Sequence, residues 1–297
     1  MNIMQAPTDN HARIAVNVVI FTVVENQTLE KLLGLGVVSP EGQYISDGNG
    51  LSLFVVTMQG HEGRILPGGF LESNETIEQA ARRIAEEKLG LSLKIKLRAL
   101  GSFDDPARDP NHRIISFPYW GMVTFEDLRQ VLGGRDRVGL ELVNSQGFMQ
   151  HWDESFELER YDGVSRFGSR QMPNAQKRIG HIKQLTASTP QGRILGLDHD
   201  DMVFYAWRQM RHAFNSRLDP FRYLAINPLG DEFRISDLQE FQEVCRGERL
   251  QRDTFRRAMM SESSYLRKSE VRDQSRPGKP ANLYSLAAPP EDGVEGD

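Results

Sequence analysis

Apolar residues dominate positions 14–24, interrupted by Asn17, and they dominate 51–58 as well. Both runs are too short for a long helix and read as strands, flanking the Gly-rich polar stretch 42–50 as a hairpin with a long loop. Leu66-Pro67-Gly68-Gly69-Phe70 reads as a tight loop. Helical spacing over 77–89, closed by Gly90, predicts a helix with a glycine cap. Further strands are expected at 93–103 and 114–123. From 125 to 196 glycines interrupt short apolar segments, and the pattern assigns no element. The period sharpens again at Asp198, where Met202, Ala206, Met210 and Ala213 recur at helical spacing and predict a helix reaching 218. Ser236-Asp237-Leu238-Gln239 has the form of a capping box opening a helix that ends near Gly247. Another helix is expected over 251–260, followed by two strands, 265–271 and 282–286, joined by a loop containing RPGKP.

The order helix, helix, helix, hairpin is that of a winged helix-turn-helix. A chain of 297 residues exceeds what one core usually organises, so two units are expected. We place a first domain over 1–196, its part beyond 124 unassigned by pattern, a winged-helix domain over 197–286, and a disordered acidic, proline-containing tail over 287–297. The overall class is α+β. Hydrophobic residues at 39% and charged residues at 26% fit a soluble globular protein, and no run approaches a membrane span. No membrane partner is expected, and a cytoplasmic location is. The one cysteine, Cys245, reads as a buried thiol, and the seven scattered histidines lack zinc spacing, so no metal site is expected.

Gly69, Glu75, Arg83, Glu87, Gly90 and Leu91 fall at the spacing Gly-x5-Glu-x7-Arg, then Glu, Gly and an apolar residue. This resembles the Nudix signature, Gly-x5-Glu-x7-Arg-Glu-apolar-x-Glu-Glu-x-Gly-apolar, and implies an α/β/α sandwich. In that family the helix presents glutamates to the magnesium bridging a pyrophosphate. Here Ile84 and Lys88 stand where the signature has two of those glutamates. Magnesium needs hard oxygen ligands, so the expectation is a pocket without catalytic residues and with weak or absent hydrolysis. Lys88 beside Glu87 is expected to form an ion pair in place of the metal.

The segment from Gly101 to Pro110, GSFDDPARDP, is similar to the Phe-x-x-Pro-x-Arg-Asp-Pro segment of ADP-ribose-type Nudix proteins and their regulatory relatives. The resemblance implies an effector, ADP-ribose or a related nucleotide, bound without a required cofactor. The residues expected to hold it are Arg64, Gly68, Gly69, Glu75, Arg83, Glu87, Lys88, Arg108 and Asp109.

Residues 246–279 carry ten Lys or Arg against five acids, a local balance of +5 within a chain of net charge -5. On a helical wheel Arg252, Asp253, Arg256 and Arg257 share one arc, and Gln251, Phe255, Ala258 and Met259 the opposite one. One face packs and the other is available to a DNA groove. The residues expected at DNA are Arg249, Arg252, Thr254, Arg256, Arg257, Lys268, Arg272, Arg276 and Lys279. The segments 233–239, 252–257 and 279–284, with Leu197-Asp198-His199-Asp200, resemble the Nudix-related transcriptional regulators of NAD metabolism. Thr254 stands where that family usually has Asn. The resemblance implies a homodimeric repressor binding an operator in double-stranded DNA. A Nudix hydrolase with an accessory winged helix is the competing reading, disfavoured by Ile84 and Lys88. A winged helix used only for protein contact is disfavoured by the basic excess.

Overall fold

A computed structural model describes residues 11–25, 28, 50–60, 63–91, 95–109, 111–132, 138–147, 154–160, 163–168, 195–215, 229–261, 266–274 and 280–287, the strands at 154–160 and 163–168 as backbone. The central strand is β1 (Arg13–Glu25), antiparallel to β2 (Leu51–Gly60), as the two apolar runs predict. Around them a mixed sheet forms from β3 (Gly63–Ile65), β4 (Gly68–Phe70), β5 (Arg98–Ala99), β6 (Ile114–Ser116), β7 (Tyr119–Met122), β8 (Val138–Gly147), β9 (Glu154–Arg160) and β10 (Gly163–Gly168). The main path runs β10-β9-β8-β2-β1-β7-β5. Strand β3 pairs with β2, and β4 and β6 pair with β1. Strands β1 and β7 lie parallel; most other pairs are antiparallel.

Both faces of β1 are covered, which explains why its sequence is apolar at successive positions rather than alternating. Val16, Val18, Ile20 and Val24 face α1 (Ile77–Leu89) and α2 (Phe125–Leu132). Val19 and Phe21 face α3 (His199–Asn215) on the other side. This is the expected α/β/α sandwich. Helix α1 starts at Thr76, whose hydroxyl accepts from the Gln79 N–H while the Gln79 side chain accepts from the Thr76 N–H, and it ends at Gly90 in the left-handed region.

Three expectations need correction. The described part of 93–103 is not one strand: among its described residues Arg98–Ala99 joins the sheet, on β7, and Phe103 makes an isolated bridge to Ser116. The run 114–123 divides into β6 and β7 around Phe117-Pro118, because proline brings no N–H to a ladder. The region left unassigned contains α2, β8, β9 and β10, which extend the sheet beyond β2.

Past α3 come α4 (Ile235–Arg246), α5 (Arg252–Ser261) and the hairpin β11 (Leu266–Asp273) with β12 (Ala281–Leu286). The start of α4 differs from the expected box at Ser236. Its cap is Arg234, whose N–H donates to the Asp237 carboxylate. Phe233 bridges Tyr284 through both backbone groups and closes the hairpin into a small sheet. Helix α3 joins the halves. Its apolar face, including Met202, Val203, Met210 and Phe214, belongs to one cluster with Phe21 and Val55 of the sheet and with Leu238, Phe241 and Phe255 of the winged helix. Trp207 donates its indole N–H to the Cys245 carbonyl, and α4 also packs on β2 and β8. The expected tail beyond Ala287 lies outside the described residues.

Candidate functional site

The Nudix loop and helix are held together by Arg83. Its Nε and one terminal nitrogen donate to the two Glu75 oxygens at 2.9 and 2.6 Å. The remaining N–H groups reach the Phe70 carbonyl at 3.1 Å, Glu87 at 3.2 Å and Glu72 at 3.5 Å. Four of the five guanidinium donors thus form hydrogen bonds, and Glu72 adds a longer ion pair. Glu75 also accepts from the Glu72 N–H. The Arg83 guanidinium holds the Glu75 carboxyl below the usual range, and the carboxylates raise Arg83 further above its own. Glu75 and Arg83 therefore fasten the loop to the helix.

Position 84 belongs to the core. Ile84 is fully buried with Ala80, Ala81, Ala85 and Leu89, and a Cβ on Gly69 would stand 3.5 Å from its side chain. Glu87 and Lys88 are exposed on the following turn. Glu87 pairs with Arg83 one turn back, so the ion pair expected with Lys88 gives way to one with Arg83. The residues at 84 and 88 do not fit a divalent-metal site, and among the described residues no cluster of three or more His, Cys, Asp or Glu is arranged to hold a metal. Gly68 and Gly69 form β4 against β1. A side chain on Gly68 would collide with Asn17, at 2.4 Å, so the loop requires glycine for close approach.

Three expected effector residues are engaged elsewhere. The Arg64 guanidinium donates to buried Glu141 at 3.3 Å and lies across Gly139. Arg108 makes a two-pronged pair with Asp198, at 2.8 and 2.6 Å, its side chain only 3% exposed. Asp109 accepts from the N–H groups of Asn111 and His112 and so shapes its own turn. In each case the group has an internal partner in this structure.

At the other end, α5 presents Arg252, Thr254, Arg256 and Arg257 to solvent, while Phe255 and Met259 are buried beneath. The Gln251 side chain caps the helix by accepting from the Thr254 N–H at 2.6 Å. Lys268 and Arg272 are exposed on β11, with Arg267 beside them, which the sequence reading omitted. Arg249 is half exposed but pairs with Glu243 at 3.2 Å, so it braces the turn between α4 and α5. Arg276 and Lys279 lie outside the described residues. The residues that sequence reasoning missed are Asn17, Asp198 and His199. The signals were available: a carboxamide within an otherwise largely apolar strand, and an Asp-His-Asp run opening a helix.

This geometry has counterparts. A Nudix domain model matches residues 44–138, and the NrtR DNA-binding winged helix domain matches residues 225–286. A MutT/nudix family protein from Enterococcus faecalis shares the fold at a TM-score of 0.58 and 18% identity, over 95% of this chain and 89% of its own. Shewanella oneidensis NrtR, in a crystal structure with a 27mer DNA, shares it at 0.56 and 18%, over 92% of this chain and 93% of its own. An ADP-ribose pyrophosphatase from Methanocaldococcus jannaschii is 35% identical over 83 residues, 28% of this chain. The match spans only 44% of that relative's length. The fold and the matched domains define a Nudix domain joined to a DNA-binding winged helix. In this order the chain carries a Nudix domain and then the DNA-binding winged helix domain of the NrtR family.

Proposed function

We propose that the chain is a transcriptional repressor that binds an operator as a homodimer and senses ADP-ribose, or a related NAD-derived nucleotide, in a Nudix domain that does not hydrolyse it. The observation that carries this reading is α5: four exposed polar or basic positions above a face closed by Phe255 and Met259. That division is what a recognition helix needs, one side anchored and one free to enter a major groove. Two-fold proteins pair with palindromic half-sites, which favours a dimer. The placement of Ile84 in the core and of Lys88 on the surface supports binding without a divalent metal, the ammonium offsetting phosphate charge. The pyrophosphatase relative favours a second reading, residual hydrolysis of the same nucleotide class, and the same two positions weigh against it.

The test is fluorescence anisotropy of the full chain with duplexes from its own upstream region, at several salt concentrations. The reading requires log affinity to fall with log salt, about 0.9 for each phosphate neutralised. It also requires one duplex to be preferred over scrambled sequence. Equal affinity for every duplex would remove the regulator reading, and affinity for none would remove DNA binding altogether.

A further inference from the structure

The first turn of α3 is unusual in burying consecutive polar residues, His199, Asp200 and Asp201, on the Nudix sheet. Each anchor has a separate target. Asp198, just before the helix, takes the Arg108 guanidinium in two hydrogen bonds. The His199 Nδ1 accepts from the Leu66 N–H at 3.1 Å, at the start of the Leu66–Gly69 loop. Its Nε2 lies 3.3 Å from the Asn17 carboxamide, and Asn17 in turn meets Ser116 at 2.6 Å and supports Gly68 from below. Asp200 accepts from the Leu195 N–H, and Gly196 donates to the Arg64 carbonyl.

Because the Leu66 N–H can only donate, Nδ1 carries no proton, and a neutral ring carries its proton on Nε2. The Asn17 carboxamide, whose two ends exchange by a half turn, then offers its oxygen to the ring and its NH2 to Ser116. In that arrangement both ring nitrogens of His199 have complementary partners. The far part of α3 is fixed to the winged helix by the Trp207 bond to Cys245 and by Arg211 paired with Glu248 at 3.3 Å.

We propose that His199 and Asp198 are positioning residues that couple the two Nudix loops, 66–70 and 104–109, to the winged helix, so that the loops and the DNA-reading surface change setting together through α3. The proposal rests on the ligand-sensing reading above. Packed elements switch between discrete arrangements, and a rigid helix clamped at both ends transmits such a change. Coupling is reciprocal: whatever ligand does to DNA affinity, DNA does to ligand affinity and to the loops.

The experiment measures the operator Kd of the full chain with and without saturating ADP-ribose. The wild-type ratio is expected to lie within about 5 to 150-fold. In His199→Leu, which keeps the volume and removes both ring nitrogens, the ratio falls to within about twofold of one, as expected when the coupling free energy is lost. In His199→Asn, whose side-chain oxygen replaces Nδ1 as acceptor, most of the ratio returns. A merely structural histidine would lower stability without this rescue. Asp198→Asn serves where His199→Leu fails to fold, and it should also reduce the ratio. Folded variants that retain the full wild-type ratio overturn the coupling. A second arm needs no nucleotide: hydrogen exchange of residues 64–71 with and without duplex. Altered protection of the Leu66 amide on DNA binding supports the coupling even if ADP-ribose proves to be the wrong effector, and unchanged protection overturns it.

Discussion

Substitution of Ile84 by Glu restores the residue the Nudix signature has at that position, and the structure gives a definite expectation for it. Ile84 is fully buried between Ala80, Ala81, Leu89 and the Val16–Ile20 side of β1. Losing its burial costs about 1.5–3 kcal/mol. The incoming carboxyl meets an apolar cluster with no partner, which costs about 1–3 kcal/mol more even when it is protonated. Together Ile84→Glu should destabilise the Nudix domain by about 3–6 kcal/mol. Lys88→Glu, on an exposed position, should change stability by less than about 0.5 kcal/mol. Urea unfolding followed by circular dichroism compares the two directly. The reasoning is refuted if Ile84→Glu unfolds at the wild-type midpoint, or if Ile84→Glu with Lys88→Glu gains magnesium-dependent hydrolysis at no cost in stability. Either result would make position 84 part of a metal pocket.

Other expectations follow from single contacts. Glu75, held below its ordinary value by Arg83, contributes stability that is fully present above the unfolded carboxylate range and is lost as pH falls through its lower folded value. The stability gap between wild type and Glu75→Gln, measured by denaturation at neutral pH and again at about pH 2–3, should therefore narrow in acid. Arg108→Ala leaves half-buried Asp198 without its cation and should cost about 1–3 kcal/mol by the same denaturation assay. Arg256→Ala should weaken specific binding by about 1–3 kcal/mol if it reads a base, whereas Lys268→Ala should weaken all duplexes alike and lower the salt slope by about 1. Anisotropy across salt concentrations separates the two behaviours.

Much of the architecture was legible because it depends on short-range pattern. The doubly buried β1 and β2 show as largely apolar runs, and α1 shows from its spacing and Gly90 cap. The wing hairpin and α5 were legible for the same reason. Strands β8 to β10 were not, since their register comes from pairing with β2 rather than from local alternation, and buried Glu141 there is matched by Arg64 and Thr57. The candidate effector residues were legible as a motif, but their internal partners were not. Arg64, Arg83 and Arg108 each have a carboxylate distant in sequence or one to two turns away that takes the charge expected to meet phosphate. A motif records which residues are present, and only the fold records which are already partnered. The clamp at Asp198 and His199 joins positions 90 to 182 residues apart, a separation that no periodicity reveals.

The central claim is that a Nudix domain that does not consume its ligand controls a DNA-binding winged helix. One titration tests it most directly: ADP-ribose added to the full chain bound to its upstream duplex, without and then with magnesium, anisotropy and intact nucleotide being followed in the same samples. The account predicts that DNA affinity shifts by about 5-fold or more, equally in both conditions, while the nucleotide remains intact. Rapid loss of ADP-ribose on adding magnesium, or an affinity indifferent to the nucleotide at every concentration, would contradict it.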